Sequence, residues 1–235
     1  MTDKKVNKKS TGGEVRVPRT KEQNEEIRLR RKEAIMKGAL SVYVEKGYAA
    51  ADIGDVAESA GVARGLVYYY YKDKRSLFRD LFTHMFQMSN THTQNHFAKE
   101  GTAIELCRAF ANSMYLSLFK NSEHVMFFFR MRFDLQELFA PEELQTGLWR
   151  DNNMRTVAQT LEKGMEEGHV RRMSPDLLVE QFWGTMMSGM LFLYRKREAL
   201  LQEGKSLDEM RELLSSEIQD ATDTCAATIR SDMLS

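Results

Sequence analysis

The sequence predicts an all-α protein, a three-helix N-terminal unit followed by a larger helical body, and three observations predict it. Only three prolines interrupt 235 residues rich in Leu, Met, Glu, Lys and Arg, which suit helices. Apolar residues recur at spacings of three and four, with little strand alternation. Several of these stripes open on a residue that caps helices: Thr20, Asp52, Asp73, Ser174 and Ser206. At 42% hydrophobic residues, the chain can bury one sizeable core, or a small and a larger one.

In chain order, residues 1–19 carry Lys4, Lys5, Lys8, Lys9, Arg16 and Arg19 around Thr11-Gly12-Gly13. They hold too few apolar residues to fold alone and read as a flexible basic arm, either a solvated tail or a contact to phosphate or minor groove. Thr20 with Gln23 makes a capping box, opening a helix whose apolar side is Ile27, Ile35, Ala39, Val42 and Tyr43 and which ends at Gly47. Asp52 caps a short helix with Ile53, Val56, Ala57 and Ala60 inward. Gly61 permits the reversal, Val62 plugs the turn, and a second short helix runs from about 63 to 70. Asp73 caps a long helix reaching about Ser89, and a polar connection covers 90–101. Helices follow over 103–118 and 123–139. Pro141 opens one running to Gly168, Ser174-Pro175 opens another to about Arg197, and Ser206 with Glu209 caps the last. The 123–139 segment is apolar nearly all round, the pattern of an interior helix.

A short helix, a Gly-containing turn and a second short helix make a helix-turn-helix, whose second helix enters the DNA major groove. That helix ends in four tyrosines, Tyr68 to Tyr71. With Val67 and Tyr71 inward, Arg64, Tyr68 and Tyr69 lie nearer the outer side; the bland alternative packs all four rings against neighbours. Charge divides the same way. Residues 1–81 hold 18 Lys+Arg against 12 Asp+Glu, net +6, and the remainder holds 16 against 22, net −6. A basic N-terminal third suits a polyanion.

From about Ala34 to Phe78 the chain resembles the DNA-binding domain of TetR-family transcriptional regulators. The matching residues are Ala39-Leu40, Tyr43, Gly47-Tyr48, Val56-Ala57, Ala60-Gly61-Val62, Gly65, Tyr68, Tyr70-Tyr71, Lys74 and Leu77-Phe78. They cover about a fifth of the chain. Ala51, Ala63 and Leu66 depart from the family's usual Thr, Ser and Thr, which puts phosphate contacts there in doubt. The resemblance implies a DNA-binding domain over 20–81, an effector-binding and dimerisation body over 82–235, and a homodimer that binds a pseudo-palindromic operator as a repressor. Carried onto this chain, Arg64 reads bases, Gly65 allows close approach, Leu66 lies on the reading helix, and Tyr68, Tyr69 and Lys74 hold phosphates.

For the body, the resemblance implies pairing of the last two helices with their counterparts, and the first of them has Gly184, Ser188 and Gly189 among Trp183, Met186, Met187, Met190 and Leu193. Fifteen methionines and thirteen phenylalanines supply material for an apolar pocket and hence a hydrophobic small-molecule effector. Its candidate lining is Phe129, Arg130, Phe133, Trp149 and Trp183. Arg130 and Arg132, in so apolar a helix, need partners: an Asp or Glu of another helix, or an acidic group of the effector.

No hydrolase, P-loop, zincin or dinucleotide pattern is present, so neither an enzyme nor a cofactor is expected. His92 and His96 are one helical turn apart, but no third ligand of matching spacing accompanies them, and no metal is expected. Cys107 and Cys225 read as buried thiols. The longest apolar run, 182–194, is too short to span a bilayer, and the charged N-terminus is unlike a signal peptide; the expectation is a cytoplasmic protein. A helical protein that no longer reads DNA and a metalloenzyme built on the histidines are the readings from other classes.

Overall fold

The computed structural model describes residues 20–145 and 151–231, and every regular element among them is a helix. The basic arm and Trp149 lie outside these residues. Helix α1 (Lys21–Ala50) starts at the Thr20–Gln23 capping box, with both reciprocal bonds made, and kinks at Gly47 (φ 76°, ψ 173°) one turn before its end. Asp52 and Asp55 cap α2 (Ile53–Ser59) in the same reciprocal way. Gly61, at φ 64°, turns the chain, and α3 (Arg64–Tyr70) begins after Ala63 without a side-chain cap bond.

Helix α4 (Lys74–Phe97) is capped by Asp73 and Ser76. It runs two turns beyond the end expected near Ser89. No Gly or Pro lies between 90 and 100 to stop it, and Asn90, Thr93 and Phe97 continue the register of Phe86. Thr93 and Phe97 are buried, so a polar stretch is held helical by the body that covers it.

Beyond it lie α5 (Ala103–Ser117), α6 (Ser122–Leu138), α7 (Pro141–Gln145), α8 (Asp151–Glu166), α9 (Pro175–Gln202), α10 (Leu207–Leu213) and α11 (Ser215–Ile229). The single helix expected from Ser206 is broken at Leu214 (φ −97°, ψ 9°). No helix among the described residues is long and apolar enough to cross a membrane.

Two apolar cores form. The first joins Ile35, Ala39 and Tyr43 of α1, Ile53 and Val56 of α2, Val67 of α3 and Leu77, Phe78, Leu81 and Phe82 of α4. Phe127, Leu138 and Phe139 complete it, so it reaches well past residue 81 in sequence. The second contains Phe110 and Tyr115 of α5, Val157 and Leu161 of α8, Phe182 and Met186 of α9, and Cys225 and Ile229 of α11. Both cysteines are buried and unpaired, and burial pushes the Cys107 thiol up to about 12.

Helix α6 is not the interior helix its sequence suggests. Only Val125, Phe127 and Leu138 are buried along it, because it lies on the flank of α1 and α4 and turns one stripe inward. Phe133, on its outer side, is 85% exposed.

Candidate nucleic-acid interface

The reading unit is built on backbone geometry before any side chain matters. Gly38 on α1 lets α2 come so close that an added Cβ would lie 2.9 Å from both the Ala60 nitrogen and the Val56 carbonyl oxygen. Val67 is fully buried and pins α3 against this pair. One face of α3 is thereby left outward.

On that face stand Arg64, Gly65, Tyr68 and Tyr69, all exposed; Tyr69 is exposed to 77% and Tyr68 to 47%. Arg64 is held loosely, 3.8 Å from an Asp52 carboxylate oxygen and 5.9 Å from the centre of the Tyr68 ring. Neither contact desolvates the guanidinium, which keeps its donors available. Gly65 has nothing within 4 Å of where a Cβ would sit, so open space lies beside it. Leu66 is half-buried and lies nearer the core than the other four.

The last two tyrosines are structural. Tyr70 donates its hydroxyl to the Arg28 carbonyl at 3.4 Å. Tyr71 is buried and donates to Asp80 at 2.9 Å, while Lys32 pairs with the same carboxylate oxygen at 3.0 Å. Burial and that carboxylate raise the Tyr71 pKa. Lys74 is half-buried at the start of α4. Its ammonium lies 4.6 Å from the centre of the Tyr48 ring and donates to the Ala49 carbonyl at 3.0 Å, so it ties α4 to the end of α1.

Comparison with known proteins agrees with this geometry. Residues 35–81 match the family described as "Bacterial regulatory proteins, tetR family". The HTH-type transcriptional regulator AcrR of Shigella flexneri is 33% identical over 64 residues, which span 27% of this chain and 28% of AcrR. Residues 35–81 are thus a DNA-binding segment of the TetR type. Solved structures extend the likeness of fold to the body. A TetR family regulator from Marinobacter aquaeolei VT8 superposes with a TM-score of 0.66 at 17% identity, over 88% of this chain and 99% of that one. FadR from Bacillus subtilis, solved in complex with stearoyl-CoA, gives 0.60 at 16% identity over 84% and 99%.

Among the described residues, the candidate effector side chains take different surroundings. Arg130 sends its guanidinium to the Val44 and Glu45 carbonyls, at 2.6 and 3.2 Å. It caps the end of α1 just before the Gly47 kink. Carbonyls at a helix C-terminus attract a cation as a carboxylate would. Phe133 and Arg132 are exposed on the outer side of α6. Phe129 packs against the larger core. Trp183 meets Phe110 edge-on at 5.7 Å between ring centres.

The histidines take packing roles. His96 is buried with Nε2 2.8 Å from the Leu106 carbonyl oxygen, and burial lowers its pKa. The His92 ring lies 5.8 Å from that of Phe110.

Sequence reasoning missed the clamp between α6 and the reading unit. Beside Arg130, the Tyr43 hydroxyl donates to Asp134 at 2.7 Å. Arg75 and Arg79 donate to the Leu138 carbonyl at the end of α6, and Arg79 also pairs with Glu143 of α7. The signal available was a set of charged residues at helical spacing within apolar stretches; their partners lie 59 to 91 residues away, beyond the reach of any local pattern.

Proposed function

We propose that this regulator is a homodimeric repressor, released from a pseudo-palindromic operator when a largely hydrophobic molecule enters its body. The observation that carries the reading is the outward face of α3, with Arg64, Tyr68 and Tyr69 presented by a helix whose opposite side is pinned by Val67. Arg64 donates to guanine O6 and N7; Tyr68, Tyr69 and Lys74 position the unit on phosphates. Lys74 reaches them from the first turn of α4, where the helix dipole also favours an anion.

A homodimer is supported by the surface of α9 and α11. Leu191 and Phe192 are exposed to 40% and 42%. A groove beside Phe192 is lined by Gly184, Ser188, Gly189 and Ala221, small side chains that let a second helix pair approach. The body over 82–235 then holds the two reading units over 20–81 at a fixed separation. A hydrophobic effector is supported by the stearoyl-CoA bound to the similarly folded FadR and by the aromatic and methionine content of the second core. The effector must bind the released form more tightly than the DNA-bound form, by about 1–3 kcal/mol for ordinary coupling. The α6 clamp is the route we assign to that coupling, since it bonds the body to α1 and α4 together.

Gel-shift titration on DNA from upstream of the protein's own gene tests the reading. The expected result is a complex that random DNA of equal length displaces only at 10³-fold or higher excess, on the order of ordinary operator specificity. Equal affinity for both DNAs overturns it.

A further inference from the structure

Six buried side-chain polar atoms among the described residues have no hydrogen-bond partner, and four of them lie on α4, α8 and α9, where α8 packs against both of the others. They are Asn90 Oδ1 and Thr93 Oγ1 on α4, Asn153 Oδ1 on α8 and Trp183 Nε1 on α9. Thr93 is only 1% exposed. Asn153 donates through Nδ2 to Ser89 Oγ at 3.1 Å, which puts its free oxygen beside α4. Trp183 joins the group through Phe110, whose ring also meets Phe97 at 5.2 Å and His96 at 5.1 Å. Buried polar groups are nearly always satisfied, and an unpaired one calls for a missing partner. Four on three helices packed in succession point to a shared partner.

We propose that Asn90, Thr93, Asn153 and Trp183 form the polar recognition set of the effector site, and that it takes a neutral, largely apolar molecule bearing both a hydrogen-bond donor and an acceptor, such as a primary amide or an alcohol, in preference to an acid. The inference rests on the effector-responsive reading above and supplies its ligand class. Two amide oxygens accept only; the indole N–H donates only; the threonine hydroxyl does both. A primary amide answers all four. A carboxylate offers acceptors alone, leaves both asparagine oxygens unpaired, and brings a charge that burial penalises without a cation. The arginines that sequence reasoning offered for such a charge are placed elsewhere: Arg130 on the α1 carbonyls and Arg132 in solvent. His96 already holds the Leu106 carbonyl.

Decanamide, 1-decanol and decanoate at neutral pH are the probes, read by thermal shift on the full chain. Decanamide near 100 times its Kd should raise Tm by about 5–10 °C. Decanol should follow, and decanoate should bind about tenfold or more weakly than the amide. Asn90→Leu with Thr93→Val should cost decanamide about tenfold or more in affinity and narrow its advantage over decanoate. In Trp149→Phe, where Trp183 is the one remaining indole, decanamide should move the emission maximum and decanoate should not. Equal binding of the three probes, preference for decanoate, no shift with any probe, or unchanged affinities in the double variant each overturns the proposal. That last result would mean ordered water alone fills the cluster. If the double variant does not fold, the order of the probes on the parent and the Trp183 emission decide. Probe binding in the expected order by a protein that fails the gel shift sinks the regulator reading and leaves this site standing; the converse result sinks this site alone.

Discussion

A single guanidinium carries the sharpest prediction. Arg64 is exposed, lies 3.8 Å from the Asp52 carboxylate, and is otherwise engaged by Tyr68 of its own helix. Its replacement should therefore leave the fold intact and remove one bidentate base contact. Arg64→Ala is expected to weaken operator binding by about 1–3 kcal/mol while affinity for random DNA changes much less, measured by gel shift on both DNAs. Equal losses would reduce Arg64 to a phosphate contact. The contrast with Tyr70 and Tyr71 is instructive, since the four tyrosines are adjacent in sequence yet split into two exposed rings and two tethered ones. The 3.6-residue period separates the inward Val67 and Tyr71 from the outward pair, and that division was legible before any coordinates. The partners of the tethered rings, Arg28 and Asp80, were not, because nothing local marks them.

Among the elements, α6 is the one whose reading changed most. Its run of phenylalanines satisfies the pattern of a buried helix, yet it clamps two cores together from outside and leaves Phe133 in the open. Apolar content reports how much surface a helix would bury, not which neighbours exist to cover it. The clamp has a titratable end. Its bond to Arg79, with a second from the Ala140 amide, holds the Glu143 carboxyl at about 2, below its ordinary 4.5. A carboxyl depressed on folding adds stability above its unfolded pKa and loses it as pH falls toward the folded value. Glu143→Gln should therefore lower stability at neutral pH and flatten the loss seen between about pH 4.5 and pH 2, followed by urea denaturation across that range. A slope unchanged by the substitution would show that the pair is broken in solution. The cap residues were legible in sequence because Thr20, Asp52, Asp73 and Ser206 act within four residues of themselves. The break at Leu214 was not, since Leu-Leu-Ser-Ser carries no helix breaker.

At the scale of the molecule, the proposed dimer makes the geometric prediction. A two-fold axis through α9 and α11 would present two copies of α3, with half-sites near one turn of DNA, roughly 34–36 Å, or wider. Sedimentation at micromolar concentration should give a mass near twice 27.2 kDa, and footprinting should protect a two-fold symmetric sequence. A monomer in solution would overturn the pairing and leave the exposed Leu191 and Phe192 unexplained by it. The charge division supports the same orientation, since the basic N-terminal third belongs at the nucleic acid and the acidic remainder away from it.

The sequence by itself determined the helical class, the position of the reading helix and the family of its first third. Each of these is written in contacts only a few residues apart: caps, a glycine turn and a stripe at helical period. Only the tertiary structure decided what covers what. It carried α4 through a polar stretch to Phe97, set Arg130 on the carbonyls at the end of α1, and left buried polar atoms of Asn90, Thr93, Asn153 and Trp183 without partners on three helices. Those outcomes depend on pairings across tens of residues, where a side chain's chemistry fixes the kind of partner it needs and the packing of the helices fixes which partner it gets.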